Sequence, residues 1–168
     1  VKHNNDRDHK SELITTAILF LFFWGIILCG IASLFSEKLG IVLLELPGSA
    51  TLINISLIWG FGIAIFQIPQ AYYLNNERMK TYVFIGIMQL ITNLILSIYM
   101  VVWLNLGVYG VIISNMIATL LFGLVTNIWL LFKHFQLLSL EKLGVMLRFG
   151  IPFMFAILLE VSFSIIDR

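Results

Sequence analysis

The chain has 168 residues, of which 60% are hydrophobic and 11% charged, with a formal net charge of +1. A soluble domain has about a quarter of its residues charged, so this composition excludes a protein whose whole surface faces water. The few dispersed basic residues exclude a nucleic-acid-binding face, and a lone Cys29 excludes a disulfide within the chain.

Four apolar runs are each long enough to cross a bilayer, which takes about 20 helical residues. Because backbone groups in lipid must be paired within their own segment, these runs predict membrane-spanning α-helices. The predicted fold is therefore all-α, a polytopic transmembrane helical bundle. The complete spans are predicted at residues 14–35, 51–74, 82–104 and 109–132, and a fifth begins at residue 150 and runs to the end of the chain.

Basic residues in the loops predict the orientation of the spans. Residues 1–13, 75–81 and 133–149 fall on one side and hold eight Lys or Arg residues. The first loop on the other side holds Lys38. Since cytoplasmic loops carry the excess of Lys and Arg, the three basic segments are predicted to be cytoplasmic.

Small and polar side chains recur at helical spacing inside the spans. In the third span, Gln89 and Asn93 lie one turn apart. Further stripes are Ser56, Gly60, Ala64, Gln67 and Ala71 in the second span and Asn115, Thr119, Gly123 and Thr126 in the fourth. Two interpretations stay open: the stripes pack helices together, or several of them line a hydrophilic cavity. Gln89 and Asn93 are the best cavity or substrate-contact candidates, because two adjacent amides are costly against lipid.

Charged side chains near the predicted membrane are further candidates. Glu160 lies within the fifth span, where a carboxylate must face protein or water or be protonated. It is either a coupling-ion or substrate contact, or a structural carboxylate bonded to a neighbouring helix. Asp167 and Arg168 are predicted at the outer interface, as a surface anchor or facing a central cavity. Arg78 is predicted in a cytoplasmic loop, either simply solvated or in contact with an anionic lipid headgroup.

The sequence contains none of the phosphate-loop, nucleophile-elbow or zinc-protease motifs. The three histidines lie outside the predicted spans. We therefore expect that the chain is not an enzyme, has no catalytic residues, and uses no cofactor or metal.

Three stretches carry a resemblance to a known family. They are YYLNNERMKTYVFIGIMQLITNLILSI at residues 72–98, LGVYGVIISN at 106–115 and LRFGIPFMFAILLEVSFSIIDR at 147–168. Their order and spacing resemble the O-antigen flippase-like polysaccharide biosynthesis family of the multidrug/oligosaccharidyl-lipid/polysaccharide (MOP) exporter superfamily. The matching motifs are Glu77-Arg78 with Tyr82, Gly107 with Gly110, the FGIP tetrapeptide at 149–152, and Asp167-Arg168.

The chain begins with Val1 and is expected to be a piece of a longer protein. The resemblance implies that its spans correspond to the third to seventh helices of the family fold, and it also implies how the chain divides. Residues 1–136 are expected in an N-terminal transmembrane lobe. Residues 137–149 are expected to form an amphipathic cytoplasmic linker helix, and residues 150–168 the truncated first helix of a C-terminal lobe.

The resemblance also implies a function. Members move undecaprenyl-diphosphate-linked oligosaccharides, the repeats of O-antigen, capsule or exopolysaccharide, across the bacterial cytoplasmic (inner) membrane by alternating access. The implied partners are that lipid-linked substrate, the bilayer and other polysaccharide-assembly proteins. The alternatives are a multidrug exporter of the same superfamily, a membrane enzyme of polysaccharide assembly, and a scaffold subunit that transports nothing.

Overall fold

The structure is a computed structural model that describes residues 2–44, 50–134, 143–148 and 150–151. Within these ranges the chain is helical, without strands. The described helices are α1 (Lys2–Leu34), α2 (Ser36–Leu44), α3 (Ala50–Asn75), α4 (Met79–Ile98), a π-helical turn (Tyr99–Trp103) that continues α4, and α5 (Gly107–His134). Residues 143–148 and 150–151 are also helical.

Four of the described segments are long and apolar enough to cross a membrane. They are Ser11–Leu34, Ala50–Asn75, Met79–Trp103 and Gly107–His134. Each matches one of the four complete spans expected from the sequence to within about three residues at either end, so the predicted all-α transmembrane bundle is confirmed. The fifth span, apart from its first two residues, and the linker up to residue 142 lie outside the described residues.

Helix α1 begins earlier than the first predicted span. It starts at Lys2, whereas the apolar run starts near residue 14. Once an apolar span has formed, adding a residue to its end costs little, because the expensive nucleation step is already complete. The polar residues before the span therefore extend the helix.

The chain divides into two compact units, Val1–Ala17 with His134–Arg168, and Ile18–Lys133. In the first unit, the Thr15 hydroxyl donates to the His134 carbonyl at 2.9 Å, and the Ser11 hydroxyl hydrogen-bonds with His134 Nδ1 at 3.0 Å. Carbonyls in the last turn of a helix have no partner within it. Thr15, which is fully buried, thus supplies a donor for the end of α5.

In the second unit, α3 packs against α1 through one aromatic contact. The rings of Phe22 and Phe61 meet edge to face at 6.0 Å. The Phe61 ring also lies over Gly25, where an added Cβ would overlap it. One turn further, the Cys29 thiol donates to the Leu57 carbonyl at 3.6 Å. The absence of a side chain at Gly25 therefore leaves the space on α1 that the Phe61 ring of α3 occupies.

On another side, α3 packs against α5 through two glycines. A Cβ at Gly123 would lie 3.1 Å from Ile65 and 3.4 Å from the backbone nitrogen of Phe66, and one at Gly62 would lie 3.2 Å from Leu120. Ile65 is fully buried. Glycines permit this approach of two backbones, which is how helices associate in a lipid solvent that is as apolar as their side chains.

The turn from α3 to α4 is a Schellman motif. The Arg78 N–H donates to the Tyr73 carbonyl at 2.9 Å, and the Glu77 N–H donates to the Leu74 carbonyl at 3.1 Å. Glu77 has φ of 56°, a left-handed conformation that glycine usually occupies at this position. The turn ends α3 and starts the antiparallel α4.

The C-terminal end of α4 is wound more loosely. The Leu104 N–H bonds to the Tyr99 carbonyl, five residues earlier, at 3.3 Å. Asn105 and Gly107, with φ near 50°, then reverse the chain into α5. Gly110 follows, and a Cβ there would lie 3.1 Å from Met100. This turn and the glycine bring the start of α5 close to the end of α4.

Candidate functional site: the polar faces of the spans

Pro69 leaves one backbone carbonyl of α3 without its usual hydrogen-bond donor. Proline has no N–H, so the carbonyl four residues earlier, at Ile65, has no donor within the helix. Asn127 of α5 supplies it, with Nδ2 at 2.8 Å from the Ile65 oxygen and 2.7 Å from that of Gly123. Asn127 is only 1% exposed. The hydrogen bond from the Asn127 amide to the carbonyl that Pro69 leaves free therefore holds α3 and α5 together.

Some buried amide oxygens have no hydrogen-bond partner among the described residues. They belong to Asn54, Gln70, Asn93 and Asn127. A buried polar atom without a partner costs about 1–3 kcal/mol. These four oxygens are therefore unpaired acceptors enclosed among the described helices, and they do not by themselves mark a ligand site.

Two polar contacts join α4 to α5. Asn93 Nδ2 donates to Asn115 Oδ1 at 2.9 Å, and Gln89 Nε2 lies 3.4 Å from Thr119 Oγ1. Asn115 is held in turn by its own helix, since its Nδ2 donates to the Val111 carbonyl at 2.9 Å. These contacts favour the packing interpretation for Gln89 and Asn93. A substrate contact at either residue stays a prediction.

The stripe in the second span lies on the opposite side of α3 from its packed face. At about 100° per residue, Gly62, Ile65, Pro69 and Tyr73 share one side of the helix, and all four are buried. The stripe itself faces the other way, with Ser56, Gly60, Gln67 and Ala71 exposed and Ala64 half-buried. The same kind of pattern is thus used for packing in α5 and left uncovered in α3.

The charged candidates differ in where they fall. Arg78 is exposed in the turn between α3 and α4. Glu160, Asp167 and Arg168 lie outside the described residues, so their roles stay predictions. In the described part of the chain, no group of three or more His, Cys, Asp or Glu residues is placed to hold a metal.

Asn127 and Gln70 are polar residues of the spans that the stripes did not single out. The sequence does contain a signal for Asn127, because any proline inside a span leaves a carbonyl that needs a donor from elsewhere. The signal identifies Ile65 as the acceptor, yet it cannot choose the donor among the amides of the other spans. Gln70 follows Pro69 directly and has no comparable signal.

Apolar helices of spanning length that bond to one another through amide and hydroxyl groups define a multi-pass α-helical membrane protein. The chain belongs to the polysaccharide biosynthesis protein family, whose sequence model matches residues 1–168. The resemblance read from the motifs is therefore confirmed at the level of the family. No curated protein and no solved structure matches the chain.

Proposed function

We propose that the parent protein is a flippase that translocates an oligosaccharide linked to undecaprenyl diphosphate across the bacterial cytoplasmic membrane. It acts by alternating access, as a transporter and not as an enzyme. Family membership supports a role in polysaccharide biosynthesis, and the spans support action within a membrane. The observation that carries the proposal is the stripe of small and polar residues on α3, Ser56, Gly60, Ala64, Gln67 and Ala71, which are exposed except for the half-buried Ala64.

This stripe suits a hydrophilic path better than it suits lipid. An amide such as that of Gln67 loses several hydrogen bonds on leaving water and regains none from hydrocarbon. Against a water-filled cavity the same amide costs little. Because α5 covers the opposite side of α3, packing within the described residues leaves the stripe available to line such a cavity.

The chemistry of the stripe matches a sugar cargo. Amide and hydroxyl groups donate to and accept from sugar hydroxyls, and their small neighbours Gly60, Ala64 and Ala71 leave room for a bulky headgroup. Neutral contacts of this kind are weak enough to release the cargo, which transport requires as much as binding. The lipid tail stays in the bilayer while the sugar passes along the polar face.

The proposal is tested in cells that lack the parent gene. We expect lipid-linked repeats to accumulate on the cytoplasmic leaflet and surface polysaccharide to be lost, and a wild-type copy to reverse both. A Gln67→Leu copy should restore surface polysaccharide several-fold less well, because it removes the amide from the stripe. Ile58→Leu is the matched control, since Ile58 is also exposed on α3 but, at about 100° per residue, lies on the opposite side of the helix from Gln67.

Normal surface polysaccharide in the deletion strain, together with increased sensitivity to cationic drugs, would instead indicate a multidrug exporter. Equal rescue by the Gln67→Leu and Ile58→Leu copies would remove the α3 stripe from the transport path. Glu160→Gln and Arg168→Ala copies, compared in the same assay, should both rescue poorly if the fifth span contributes to coupling or substrate contact.

A further inference from the structure

An aromatic and basic cluster lies where α3 and α5 end. Its members are Tyr72, Tyr73, Arg78, Trp129 and Lys133. The Lys133 ammonium lies over the Trp129 ring, 4.8 Å from its centre. The Trp129 ring contacts Tyr73 at 6.3 Å between centres, and Tyr73 meets Tyr72 edge to face at 5.4 Å. Arg78 is tied to the same place, because its N–H donates to the Tyr73 carbonyl.

The cluster has a rigid base and an open top. Tyr73 is only 4% exposed and supports the Trp129 ring from below, whereas Trp129 is 46% exposed. Lys133 is exposed one helical turn beyond Trp129, and Arg78 is exposed in the turn after α3. Trp and Tyr are enriched at the headgroup level of a membrane, so an exposed Trp129 ring next to two tyrosines suits that position.

The described part of the chain leaves the charges of the two cations unbalanced. Among the residues that the structure describes, neither Lys133 nor Arg78 forms an ion pair. The turn adds one more base, Lys80, and one acid, Glu77. The excess of positive charge predicts an anionic ligand, and the cation–π contact keeps the ammonium of Lys133 in place to meet it.

The surface beside the cluster is apolar. On the same side of α5 as Trp129, the side chains of Val125, Ile128 and Phe132 are exposed. They follow the spacing of one helical face. A ligand that fits both surfaces is an amphiphile, with an anionic head for the cations and an acyl chain for this strip.

We propose that the cluster is a binding site for the phosphate of an anionic phospholipid, with the acyl chain along Val125 and Ile128. The predicted orientation of the spans assigns this lipid to the cytoplasmic leaflet, where basic residues near the membrane attract anionic headgroups. Arg78 contributes a planar group that binds two phosphate oxygens at once, and Lys133 contributes a point charge. The bound lipid fixes the ends of α3 and α5 at one depth in the bilayer.

The site is tested with the full-length protein in nanodiscs of phosphatidylcholine that contain a rising fraction of phosphatidylglycerol. Native mass spectrometry then measures the preference for retained phosphatidylglycerol. We expect Lys133→Gln and Arg78→Gln each to lower that preference about fivefold, the effect of one basic residue at an anionic surface. The matched control is Lys38→Gln, which removes an exposed lysine from α2 and should leave the preference unchanged.

A second variant separates binding from folding. Trp129→Phe keeps an aromatic ring against Tyr73 but weakens the cation–π contact, so it should lower the preference by less than Lys133→Gln does. Each variant should unfold at the wild-type temperature in nanodiscs of pure phosphatidylcholine. Lys133→Arg, which keeps the positive charge, should keep the wild-type preference.

Three results would overturn the proposal. The first is an unchanged preference in the Lys133→Gln and Arg78→Gln double variant. The second is displacement of phosphatidylglycerol by millimolar inorganic phosphate, which would make the site one for the free ion. The third is displacement by an equimolar polyprenyl diphosphate, which would make it a contact for transported cargo and not for a resident phospholipid.

Discussion

Helices α4 and α5 are neighbours in the chain, and the spans that contain them have the same mean hydropathy of 2.0. Their burial is nevertheless very different. No residue of α4 is buried among the described residues. The buried residues of α5 are Gly110, Ser114, Ala118, Thr119, Gly123, Thr126, Asn127 and Leu130. Two helices that a hydropathy plot cannot distinguish thus have different roles in the packed structure.

The physical reason is that lipid is as apolar as leucine, so a large apolar side chain gains little by leaving lipid for another helix. Seven of the eight buried residues of α5 are small or polar. They bring backbones together and form hydrogen bonds across the interface. On α4, Gln89 and Asn93 make the polar contacts that the structure describes. Hydropathy therefore identifies a span, and the placement of small and polar residues decides what it packs against.

The largest effect is expected from a substitution at Gly123, where α5 packs against the backbone of α3. Gly123→Val places new atoms against Ile65 and the backbone of Phe66, and should lower the free energy of unfolding by about 3 kcal/mol. Gly60→Val is the matched control, because no heavy atom lies within 4 Å of a Cβ added there. Unfolding measured by steric trapping in bicelles compares the two. Equal losses would mean that the glycines of α5 do not determine the interface.

A smaller effect is expected from removing the Asn127 amide, which donates to the Ile65 carbonyl. Asn127→Leu leaves the Ile65 oxygen unpaired and should cost about 1–2 kcal/mol. In a Pro69→Ala background the restored N–H at position 69 bonds to Ile65, so the same change should cost clearly less. The cost of Asn127→Leu in the two backgrounds is measured in one unfolding assay. A lower cost in the Pro69→Ala background would show that the Asn127 amide compensates for the missing N–H of Pro69. A cost for Asn127→Leu that does not depend on Pro69 would contradict it.

The turn before α4 offers a gain in stability. Glu77→Gly should raise the free energy of unfolding by about 0.5–1 kcal/mol, because glycine adopts the left-handed conformation without steric cost. Asn76→Gly is the control at the preceding position, where φ is not positive and the Asn76 side chain donates to the Tyr72 carbonyl at 2.8 Å. That control should lower stability. A loss with Glu77→Gly would show that the carboxylate itself is needed in the turn.

The smallest effect concerns the contact of α4 with α5. A double-mutant cycle of Asn93→Ala and Asn115→Ala should give a coupling of about 0.6 kcal/mol, the average for hydrogen bonds between membrane helices. A second cycle that pairs Asn93→Ala with Thr126→Ala should give no coupling, since Thr126 bonds within α5. A coupling energy above about 2 kcal/mol would contradict the expectation that the Asn93–Asn115 hydrogen bond contributes little to the packing of α4.

Length and hydropathy were sufficient to predict the four described spans, because the bilayer thickness sets a minimum that few soluble segments meet. The stripes were also visible at helical spacing. What the sequence could not decide was which stripe is covered, since Gly60 and Gly123 look alike until the neighbouring helix is present. The start of α1 at Lys2 was missed because polar residues carry no hydropathy signal. The donor to the Ile65 carbonyl was missed because Asn127 lies 62 residues further along the chain.

That separation along the chain has a consequence for biogenesis. A ribosome adds about 5–20 residues per second, so Asn127 emerges roughly 3–12 s after Ile65. During this interval the Ile65 carbonyl of α3 has no side-chain donor from α5. An insertion apparatus that keeps α3 near its water-accessible interior until α5 arrives would spare the nascent chain this cost. The order of synthesis therefore makes the arrival of α5 the event that allows α3 to settle among its neighbours.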